Sequence, residues 1–588
     1  MIKKFIYQIL IQRDNHPEMK VLSFLLLSLC FFFIPTGCVS DKIENQNSLT
    51  SSYQQSLVNN TSQQREDPLG QNPDQPLGLI KKVPSDENAI PKVQFSTDPN
   101  TGQKIADLTI EQVIARALAN SPEIKVVSFD PSIAKQDITK AASEFDFTTF
   151  SSINYDSEDN PPNSIYQAGQ SDDRALESGI RKKTTTGSEW SLSYALTRNW
   201  DDLAGRPLPT RYEPILGFQL KQPLLRDAWK GVTLAGVDIA KLNYEIALLD
   251  FRKKAEDITT QVISTYWQLM QVRQNLKIHQ ELLDRTLDTF KKVEGRREID
   301  ATDVQIKQTE AYVKIREAAL LQINKQIIDA QDVLIRLMGD AQFDIFDEFY
   351  IVPSSEPSMA IEEYDVSKLL EIALQKNPVI QQAKINIEIA DINIRVAENQ
   401  DMPSLDLVTS ARTQGLAKGL KNAHDNLSTG DYVSYGIGMS LEYPLGNRQR
   451  DAELLQRKIK RRQAVAGLQN VADQLAELTK EKVRKVETNY SEIQIQKEAM
   501  DAAQIHLKVL GDSEVVLDRL TPEFLLVKLQ AQESLANAQM SHVRAITEFN
   551  IALVELAQAM GTVLELNQVE ESLPGASDSD KAAEQVTD

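Results

Sequence analysis

A segment that occurs twice constrains the fold of this chain more than any other sequence feature. When residues 364–407 are shifted back by 256 positions, several of their residues fall on identical residues of an earlier segment. The matched pairs include Ala117 with Ala373, Leu118 with Leu374, Pro122 with Pro378, Ile124 with Ile380, Ala134 with Ala390, Ile138 with Ile394 and Ala141 with Ala397. A match over a whole helix length indicates duplication of a structural unit. Each copy has the pattern of an amphipathic helix followed by a strand.

The composition suits extended helices better than a large globular core. Charged residues make up 25% of the chain and aromatic residues 6%, and long stretches are rich in Ala, Leu, Glu, Lys and Gln. Such usage is typical of long helices and coiled coils. The formal net charge of −20 argues against nucleic acid as a partner, because phosphate binding depends on Lys and Arg. The two cysteines, Cys30 and Cys38, are too few for a disulfide framework.

The N-terminus has the features of an export signal. After Met19 and Lys20, an apolar run at 21–34 leads to the sequence Pro-Thr-Gly-Cys that ends at Cys38. The run is too short to span a bilayer as a helix, and its basic start and small final residues are typical of secretory signals. The Gly-Cys ending resembles a bacterial lipoprotein signal, in which Cys38 would carry the lipid, including palmitate. An ordinary signal, or a buried thiol at Cys38, is the alternative.

Changes in composition divide the chain into segments. Residues 39–104 are rich in Asn, Gln, Ser, Asp and Pro, and such a segment cannot bury enough apolar surface to offset the entropy of ordering. The predicted order is an export signal at 1–38 whose true start is Met19, a flexible tether at 39–104, a first structural repeat at 105–345, a linker at 346–362, a second structural repeat at 363–566 and a disordered acidic tail at 567–588.

The first repeat combines strand patterns with a pair of very long helices. Period-two alternation predicts strands at 190–196 and 216–220, and a less regular one at 145–155. Residues 156–187 are polar and predict an exposed loop. A helix is predicted at 232–292, on the order of 90 Å long, with apolar and small residues at coiled-coil spacing. After a turn around Gly295, heptad-spaced apolar residues predict a return helix at 301–338.

The second repeat follows the same plan with fewer residues between its elements. A short strand is predicted at 405–407, a loop at 413–431, and helices at 448–510 and 522–560. The most regular strand of the chain presents one apolar face, formed by Tyr435, Ile437, Met439, Leu441 and Tyr443. From Pro122 to Pro223 there are 101 residues, whereas from Pro378 to Pro444 there are 66. The difference of 35 predicts a larger outer loop in the first repeat.

The strand count bears on the choice between a membrane and a soluble protein. Four or five strands per chain cannot close a sheet, and open edges are not tolerated in hydrocarbon. The strands are therefore either soluble, or several chains together close a barrel. Twelve strands from three chains is the smallest credible closed arrangement, since single-chain outer-membrane barrels have eight or more. The fold class is predicted to be mostly α with a small membrane β part.

The order of these elements resembles the TolC-like outer-membrane efflux protein family. The residues that carry the resemblance are the repeated Ala-Leu-x-x-x-Pro-x-Ile, the strand-to-helix corners Gln222-Pro223-Leu224-Leu225 and Tyr443-Pro444-Leu445-Gly446, and the two helical hairpins. The resemblance implies a homotrimer whose 12-stranded β-barrel continues into a 12-helix α-barrel across the periplasm. It implies a passive exit duct for efflux or type I secretion, which an inner-membrane pump and a periplasmic adaptor protein feed. It also implies outer-membrane lipid around the barrel.

The resemblance also implies roles for the turns between the long helices. The adaptor-contacting tips are expected at Gly295, Arg296, Arg297 and Asp303 in the first repeat, and at Gly511 and Asp512 in the second. The residues expected to narrow the closed periplasmic gate are Asp512, Asp518 and Arg519. The alternative for all of these residues is a solvated turn with capping acids.

The sequence offers little support for catalysis. It has no phosphate-binding or dinucleotide-binding glycine pattern and no histidine pair at metalloprotease spacing. His279 lies at a coiled-coil position and is expected to pack there rather than bind a ligand. We therefore predict a protein that is not an enzyme and has no cofactor or metal. The main alternative is a lipid-anchored periplasmic coiled-coil scaffold or adaptor that forms no pore. A hydrolase is supported by nothing beyond export and scattered acids.

Overall fold

The computed structural model describes residues 80–82, 95–97 and 104–571, apart from 162–163, 165, 167, 204, 344–348, 361–363, 518–520 and 568. The predicted export signal with Cys38 lies outside the described residues, and so do most of the predicted tether and tail. Among the gate candidates, Asp518 and Arg519 also lie outside them. Within the described part, no helix is both long enough and apolar enough to cross a membrane.

The described chain alternates helices and strands in two rounds. The helices are α1 (Ile110–Asn120), α2 (Pro122–Ala142), α3 (Lys230–Thr233), α4 (Ala235–Gly295), α5 (Asp303–Met338), α6 (Val366–Lys376), α7 (Pro378–Asp401), α8 (Leu420–Thr429), α9 (Arg448–Leu517), α10 (Pro522–Met560) and α11 (Val563–Leu566). The strands are β1 (Ile80–Lys82), β2 (Phe95–Thr97), β3 (Lys104–Leu108), β4 (Thr148–Asp159), β5 (Gln170–Lys183), β6 (Glu189–Asp201), β7 (Thr210–Pro223), β8 (Phe349–Pro353), β9 (Ser404–Gln414), β10 (Val433–Glu442) and β11 (Val569–Glu571).

The duplication is visible in the element boundaries. The offset of 256 positions carries both ends of α1 onto α6, the start of α2 onto α7 and the start of β4 onto β9. Thr109 caps α1 in a capping box, and Pro122 and Pro378 each occupy the first turn of their helix. The repeat was therefore correctly inferred, and it extends from the first helix to the first long strand.

Each repeat closes on itself through a glycine at the end of its return helix. Gly339 follows α5 with φ +57°, and Gly561 follows α10 with φ +70°. A Cβ on Gly339 would lie 2.8 Å from the carbonyl oxygen of Asn120, and one on Gly561 would lie 3.1 Å from that of Lys376. Asn120 and Lys376 are equivalent under the repeat. Only glycine suits both the left-handed backbone and the close approach.

The long helices form two antiparallel hairpins packed side by side. They have 61 and 36 residues in the first repeat and 70 and 39 in the second, so α4 is about 90 Å long and α9 about 105 Å. Contacts run from α5 to α4, from α4 to α10 and from α10 to α9. The heptad-spaced positions on helices of both repeats include these buried residues: Ile258, Val262, Leu269, Ile306, Val313, Ile327, Leu334, Ala531, Ala545, Ala552 and Ala559.

The six longest strands form one antiparallel sheet, in the order β10-β9-β7-β6-β5-β4. The count of four or five strands was wrong because β5 lies where the polar stretch 156–187 predicted a loop. The many charged residues of β5 obscure its alternation of apolar and polar side chains. The segment is extended because it pairs with both β4 and β6. The expected larger outer loop was wrong for the same reason, since most of the 35 extra residues form the β5–β6 hairpin. The predicted loop at 413–431 likewise contains α8.

Two smaller sheets lie among the segments that flank the repeats. In one, β3 pairs in parallel with β8, so that Ile105 lies opposite Tyr350, and β2 pairs with the other edge of β3. Ile351 of β8 is fully buried there, against a cluster that includes Phe343 and Phe349. In the other, β1 pairs antiparallel with β11. These strands occupy parts of the segments that the sequence analysis assigned to the tether, the linker and the tail.

Candidate membrane face and helical tips

The register of the six-stranded sheet collects apolar side chains on one face. Residues directly opposite each other in an antiparallel ladder share a face. One row of opposed residues runs from β4 to β10 as Thr149, Ile180, Leu192, Phe218, Ala411 and Tyr435. On β10 the face continues through Ile437, Met439 and Leu441, which are 73%, 66% and 70% exposed. We refer to this face of the sheet as the apolar face.

The other face of the sheet is polar across its width. Its residues are small or hydrophilic on each of the central and second-repeat strands: Ser191 and Ser193 on β6, Gly217 and Gln219 on β7, Ser410 and Arg412 on β9, and Gly436, Gly438 and Ser440 on β10. Alternation of lipid-type and water-type side chains along each strand is the pattern of transmembrane β-barrels. Four of the five residues expected to face lipid lie on the apolar face, and the fifth, Tyr443, follows the last residue of β10.

Aromatic rings and cations mark both ends of the apolar face. Near the helical end, the ring of Phe147 packs against Trp190 with centroids 5.8 Å apart, and the Lys182 ammonium lies 4.5 Å from the Phe147 centroid. Near the outer end, the guanidinium of Arg174 lies 5.4 Å from the ring centroid of Tyr155. Membrane barrels carry such aromatic girdles at both interfaces, and long cations beside them can reach the headgroups.

Part of the apolar face is covered by the short helix α8, which the sequence analysis missed. Gly415, just beyond β9, approaches so closely that an added Cβ would lie 2.0 Å from the carbonyl oxygen of Ala423. A hydrogen bond of 2.6 Å joins the Tyr194 hydroxyl to His424 Nε2, and the two rings are stacked. The Leu420, Ala423 and Leu427 spacing of three and four is the signal that could have predicted this helix.

The turn at residues 225–229, which connects β7 to the helices, is held by hydrogen bonds from the second repeat. We refer to this turn as the corner. Asn399, near the end of α7, accepts a hydrogen bond of 2.8 Å from the backbone N–H of Asp227 and donates one of 3.0 Å to the Leu225 carbonyl. Asp227 and Trp229 adopt positive φ values of 61° and 74° at this turn. The turn between β5 and β6 joins the same corner, because the Trp229 N–H donates to the Thr186 carbonyl at 3.1 Å.

The first helical tip is an ordered turn of charged residues. Gly295 is the last residue of α4 and Asp303 the first of α5, three and two residues beyond the predicted helix bounds at 292 and 301. Arg296 donates two hydrogen bonds to Asp300, at 2.8 and 2.7 Å. Arg297 makes a 3.1 Å hydrogen bond to Asp303, and both of these side chains are largely exposed. Beneath the turn, a buried cluster joins both hairpins through Val293, Ile306, Leu525 and Leu529.

The second tip differs from the prediction. The sequence placed the end of the helix at Leu510, with Gly511 and Asp512 in the turn, but α9 continues to Leu517. A glycine inside a helix costs only about 1 kcal/mol. Here the extra turns are held by an ion pair between Glu514 and Lys528 of α10, whose side chains are 18% and 8% exposed. The placement of Gly511 and Asp512 in the turn was therefore wrong.

His279 and His542, on the long helices, have the environment of packed side chains. Burial lowers the pKa of His279, and the nearby Arg316 charge lowers it further. Burial also lowers the pKa of His542. Both imidazoles are therefore neutral at pH 7. Within the described residues, no group of three or more His, Cys, Asp or Glu side chains is placed to hold a metal ion.

Comparison with known proteins agrees with this architecture. A family model described as "Outer membrane efflux protein" matches residues 369–510, which run from α6 into α9. The fold is similar to the outer membrane protein VceC from Vibrio cholerae, with a TM-score of 0.56, 19% identity, and coverage of 77% of this chain and 96% of that one. It is also similar to the Campylobacter jejuni CmeC outer membrane channel, with a TM-score of 0.56, 14% identity, and coverage of 80% and 88%.

The similarity extends to the Neisseria gonorrhoeae MtrE outer membrane channel, with a TM-score of 0.55, 14% identity, and coverage of 77% of this chain and 89% of that one. No curated protein matches the sequence. At these identities the solved structures establish the fold, and the family model is matched by the second of the two repeats. Residues 369–510 are therefore similar to the outer membrane efflux protein family, and the fold as a whole is similar to that of outer membrane channels.

Proposed function

We propose that three copies of this chain form the outer-membrane exit duct of an efflux or type I secretion system. The observation that carries this proposal is a sheet with one apolar and one polar face that continues directly into two helical hairpins. A helix of about 105 Å greatly exceeds the ~30 Å hydrocarbon core of a bilayer, so such a molecule can begin in the outer membrane and reach far into the periplasm. Transport through it is passive, and no step requires a catalytic residue.

The outer helices of each protomer support assembly with further copies. In the order α5-α4-α10-α9, the helices α5 and α9 form the two edges. Leu321 and Ile328 on α5 are 72% and 47% exposed, and Ile495 and Ile505 on α9 are 63% and 62% exposed. Apolar side chains at these spacings favour packing against another helix. Three copies that join α5 to α9 would close a tube of twelve helices, as the resemblance implies.

The tips of this tube are proposed to meet the periplasmic adaptor protein. Arg296, Arg297 and Asp303 lie at the end of the first hairpin, far along the helices from the sheet. Their ion pairs order the turn and leave Arg297 and Asp303 accessible to a partner. Gly511 and Asp512 lie inside α9, about two turns before its last residue, and are therefore proposed as part of the helical wall close to the tip.

The N-terminal segment is proposed to export and anchor the chain. Residues 1–38 would be the export signal and Cys38 the lipidated residue, followed by the tether and the two repeats in the predicted order. Labelling cells with an alkyne palmitate analogue tests this assignment directly. Incorporation that Cys38→Ser abolishes supports it, whereas labelling that persists in that variant contradicts it.

The proposed function is tested by extraction and reconstitution of the protein. Membranes from expressing cells should yield, in mild detergent, a species of about three times the chain mass. Added to planar bilayers, this species should open discrete ion-conducting pores. A soluble monomer that produces no ion conductance in the bilayer would contradict the proposal and favour the lipid-anchored coiled-coil scaffold.

A further inference from the structure

The six strands form one continuous ladder, which differs from the strand number that the resemblance implies. A 12-stranded trimer needs four strands per chain. Here β4 and β5 are paired over 12 residues, β5 and β6 over 13, and β6 and β7 over 12. The second repeat adds β9 and β10, paired over 10 residues and joined to β7. Two strands of each chain must leave this ladder if only four enter a barrel.

The extra hairpin occupies the same span as the strands beside it. Its turn, residues 184–188, is closed by a 2.8 Å hydrogen bond from the Thr184 N–H to the Ser188 carbonyl. The turn touches the helical corner at Trp229, and Gly187 approaches so closely that its Cβ would lie 2.2 Å from the Asp227 carbonyl oxygen. The hairpin thus begins where the sheet meets the helices, and it extends outward as far as its neighbours do.

The charged strand β5 still presents an apolar segment of membrane length. On the apolar face its central residues are Ile180, Ser178 and Leu176, bounded by Lys182 and Arg174. Those eight residue steps span about 26 Å along the strand, or about 20 Å across the bilayer at a tilt of ~40°. The outward apolar band of membrane barrels is about 25 Å tall. The cations therefore lie at the two interfaces, each beside an aromatic ring.

The opposite face of the extra hairpin suits a wet lumen. On β5 it carries Asp173, Glu177 and Arg181, and on β6 it carries Ser191 and Ser193. This polar surface continues without interruption into the polar face of β7, because the registers keep opposed residues on the same side. A hairpin excluded from the barrel would have no reason to continue both the apolar face and the polar face of its neighbours.

Two edges of the sheet have no partner among the described residues, namely the outer sides of β4 and β10. Unpaired backbone N–H and C=O groups are not tolerated in hydrocarbon. With six antiparallel strands, β4 and β10 run in opposite directions, so joining them between chains continues the antiparallel ladder. Resting on the proposed function, we propose that β10 of each protomer pairs with β4 of the next copy, so that the trimer closes an 18-stranded barrel.

An 18-stranded barrel has a much wider mouth than a 12-stranded one. At ~4.8 Å between strands and a tilt of about 40°, eighteen strands give a perimeter of roughly 110 Å and a backbone diameter of about 36 Å. Twelve strands give about 24 Å by the same geometry. Barrels of 16 to 18 strands are wide enough for an aqueous channel. The strand number of this chain therefore sets an outer opening about half again as wide as the family plan.

Cysteine cross-linking in the assembled trimer tests which strand meets β10. One cysteine replaces Ser151 or Ser152 on β4, and a second replaces Ser434 or Ser440 on β10, so that four pairs cover the unknown register. A short bis-thiol reagent is applied to intact membranes, and covalent dimers and trimers are detected after denaturation. The matched control puts the first cysteine at Ser191 on β6 instead. The parent chain reports any background from Cys30 and Cys38.

The 18-stranded barrel predicts inter-chain cross-links for at least one β4 pair and none for the β6 pairs. Cross-links through β6 would place β4 and β5 outside a 12-stranded barrel, and β4 cross-links in a trimer that tolerates Ile180→Arg on β5 would place the β5–β6 hairpin outside one. Either result would overturn this inference while leaving the channel function intact. A conducting trimer without cross-links through β4 would also overturn it. Failure of the proposed function is distinguishable, because the protein would then be a monomer without conductance.

Discussion

The two repeats begin alike and diverge when the chain reaches the sheet. The offset of 256 positions holds from the first helix of each repeat to the start of β4 and β9. Beyond that point the second repeat contributes one hairpin, whereas the first contributes two. The helical hairpins that follow again end at equivalent glycines. The two repeats share their first helices and the glycines that end their helical hairpins. They differ in the number of strands, which sets the width of the sheet.

This difference shows how a duplicated protein can widen its sheet without changing its long helices. An inserted antiparallel hairpin adds two strands and keeps the direction of every other strand. It therefore needs no new connection to the helices. The polar and apolar faces continue through it because its side chains follow the same alternation. The corner residues remain in place, and the added strands widen only the sheet.

The largest effect is expected at the glycine corners that the repeats share. Gly339→Ala should reduce the free energy of unfolding by about 2–4 kcal/mol, because a left-handed non-glycine residue costs ~1–2 kcal/mol and overpacking adds about 1–3 kcal/mol. Gly561→Ala should be similar. Gly430→Ala is the control, since it also has positive φ but no atom lies within 4 Å of its Cβ position. Urea titration of helical circular dichroism measures all three variants. Equal losses at Gly339 and Gly430 would contradict the shared corner.

The next effect compares the lipid exposure of the two repeats. Ile437→Arg on β10 should destabilise the inserted barrel by about 2–4 kcal/mol if the residue lies near mid-membrane. Ile180→Arg on the extra strand β5 should cost about as much if β5 also faces lipid. Gln219→Arg, on the polar face between them, should have little effect. The fraction of trimer recovered from membranes reports each cost. An Ile180→Arg variant that assembles as well as Gln219→Arg would separate β5 from the bilayer.

A smaller effect is expected where the second repeat fastens the corner of the first. Asn399→Ala removes both hydrogen bonds to the turn at Leu225 and Asp227, which should cost about 1–3 kcal/mol for a buried amide pair. Asn393→Ala is the matched control, because that amide donates only within its own helix to Ile389 besides a long contact with Arg457. Thermal unfolding followed by circular dichroism distinguishes the two variants. If they were equally stable, the corner would not depend on this contact.

Much of the helical frame could be predicted because its signals are local. Thr109 and Thr521 cap α1 and α10 by bonding to backbone N–H groups three residues on, and the start and end of α10 were predicted at Pro522 and Met560. The heptad pattern of Ile306, Val313 and Ile327 marks buried positions whatever the partner helix is. Such features depend on residues a few positions apart, and the sequence contains them in full.

The sheet was harder to predict because its evidence is spread over distant strands. Strand β5 has only Leu176 and Ile180 as large apolar residues on its apolar face, so its own sequence looks like a loop. The strand becomes evident only when its ladders to β4 and β6 are known. The extension of α9 past Gly511 depends in the same way on a partner, since Lys528 on another helix pairs with Glu514. The helix or strand propensity of a segment contains no information about such contacts with distant elements.

The smallest expected effect concerns one carboxylate in each repeat. Glu123 on α2 accepts hydrogen bonds from Arg336 and Lys254, which lower its pKa. Burial raises the pKa of Glu555 on α10, but hydrogen bonds from Lys485 and Lys482 outweigh it and leave the pKa below 4.5. Because a lowered folded-state pKa favours the ionised form, each group adds stability at neutral pH. That stability is lost as the pH falls from about 4.5 through the folded-state pKa.

Substitution of these two glutamates should therefore reduce the acid sensitivity of the protein without abolishing its fold. Glu555→Gln should lower the free energy of unfolding at pH 7 by less than about 1 kcal/mol and flatten its dependence on pH below 4.5. Glu123→Gln should do the same more weakly, since its ion pairs are more exposed to solvent. Unfolding midpoints between pH 7 and pH 3 measure both slopes. A flatter acid dependence in Glu123→Gln than in Glu555→Gln would contradict this order, because screening by water weakens the more exposed ion pairs of Glu123.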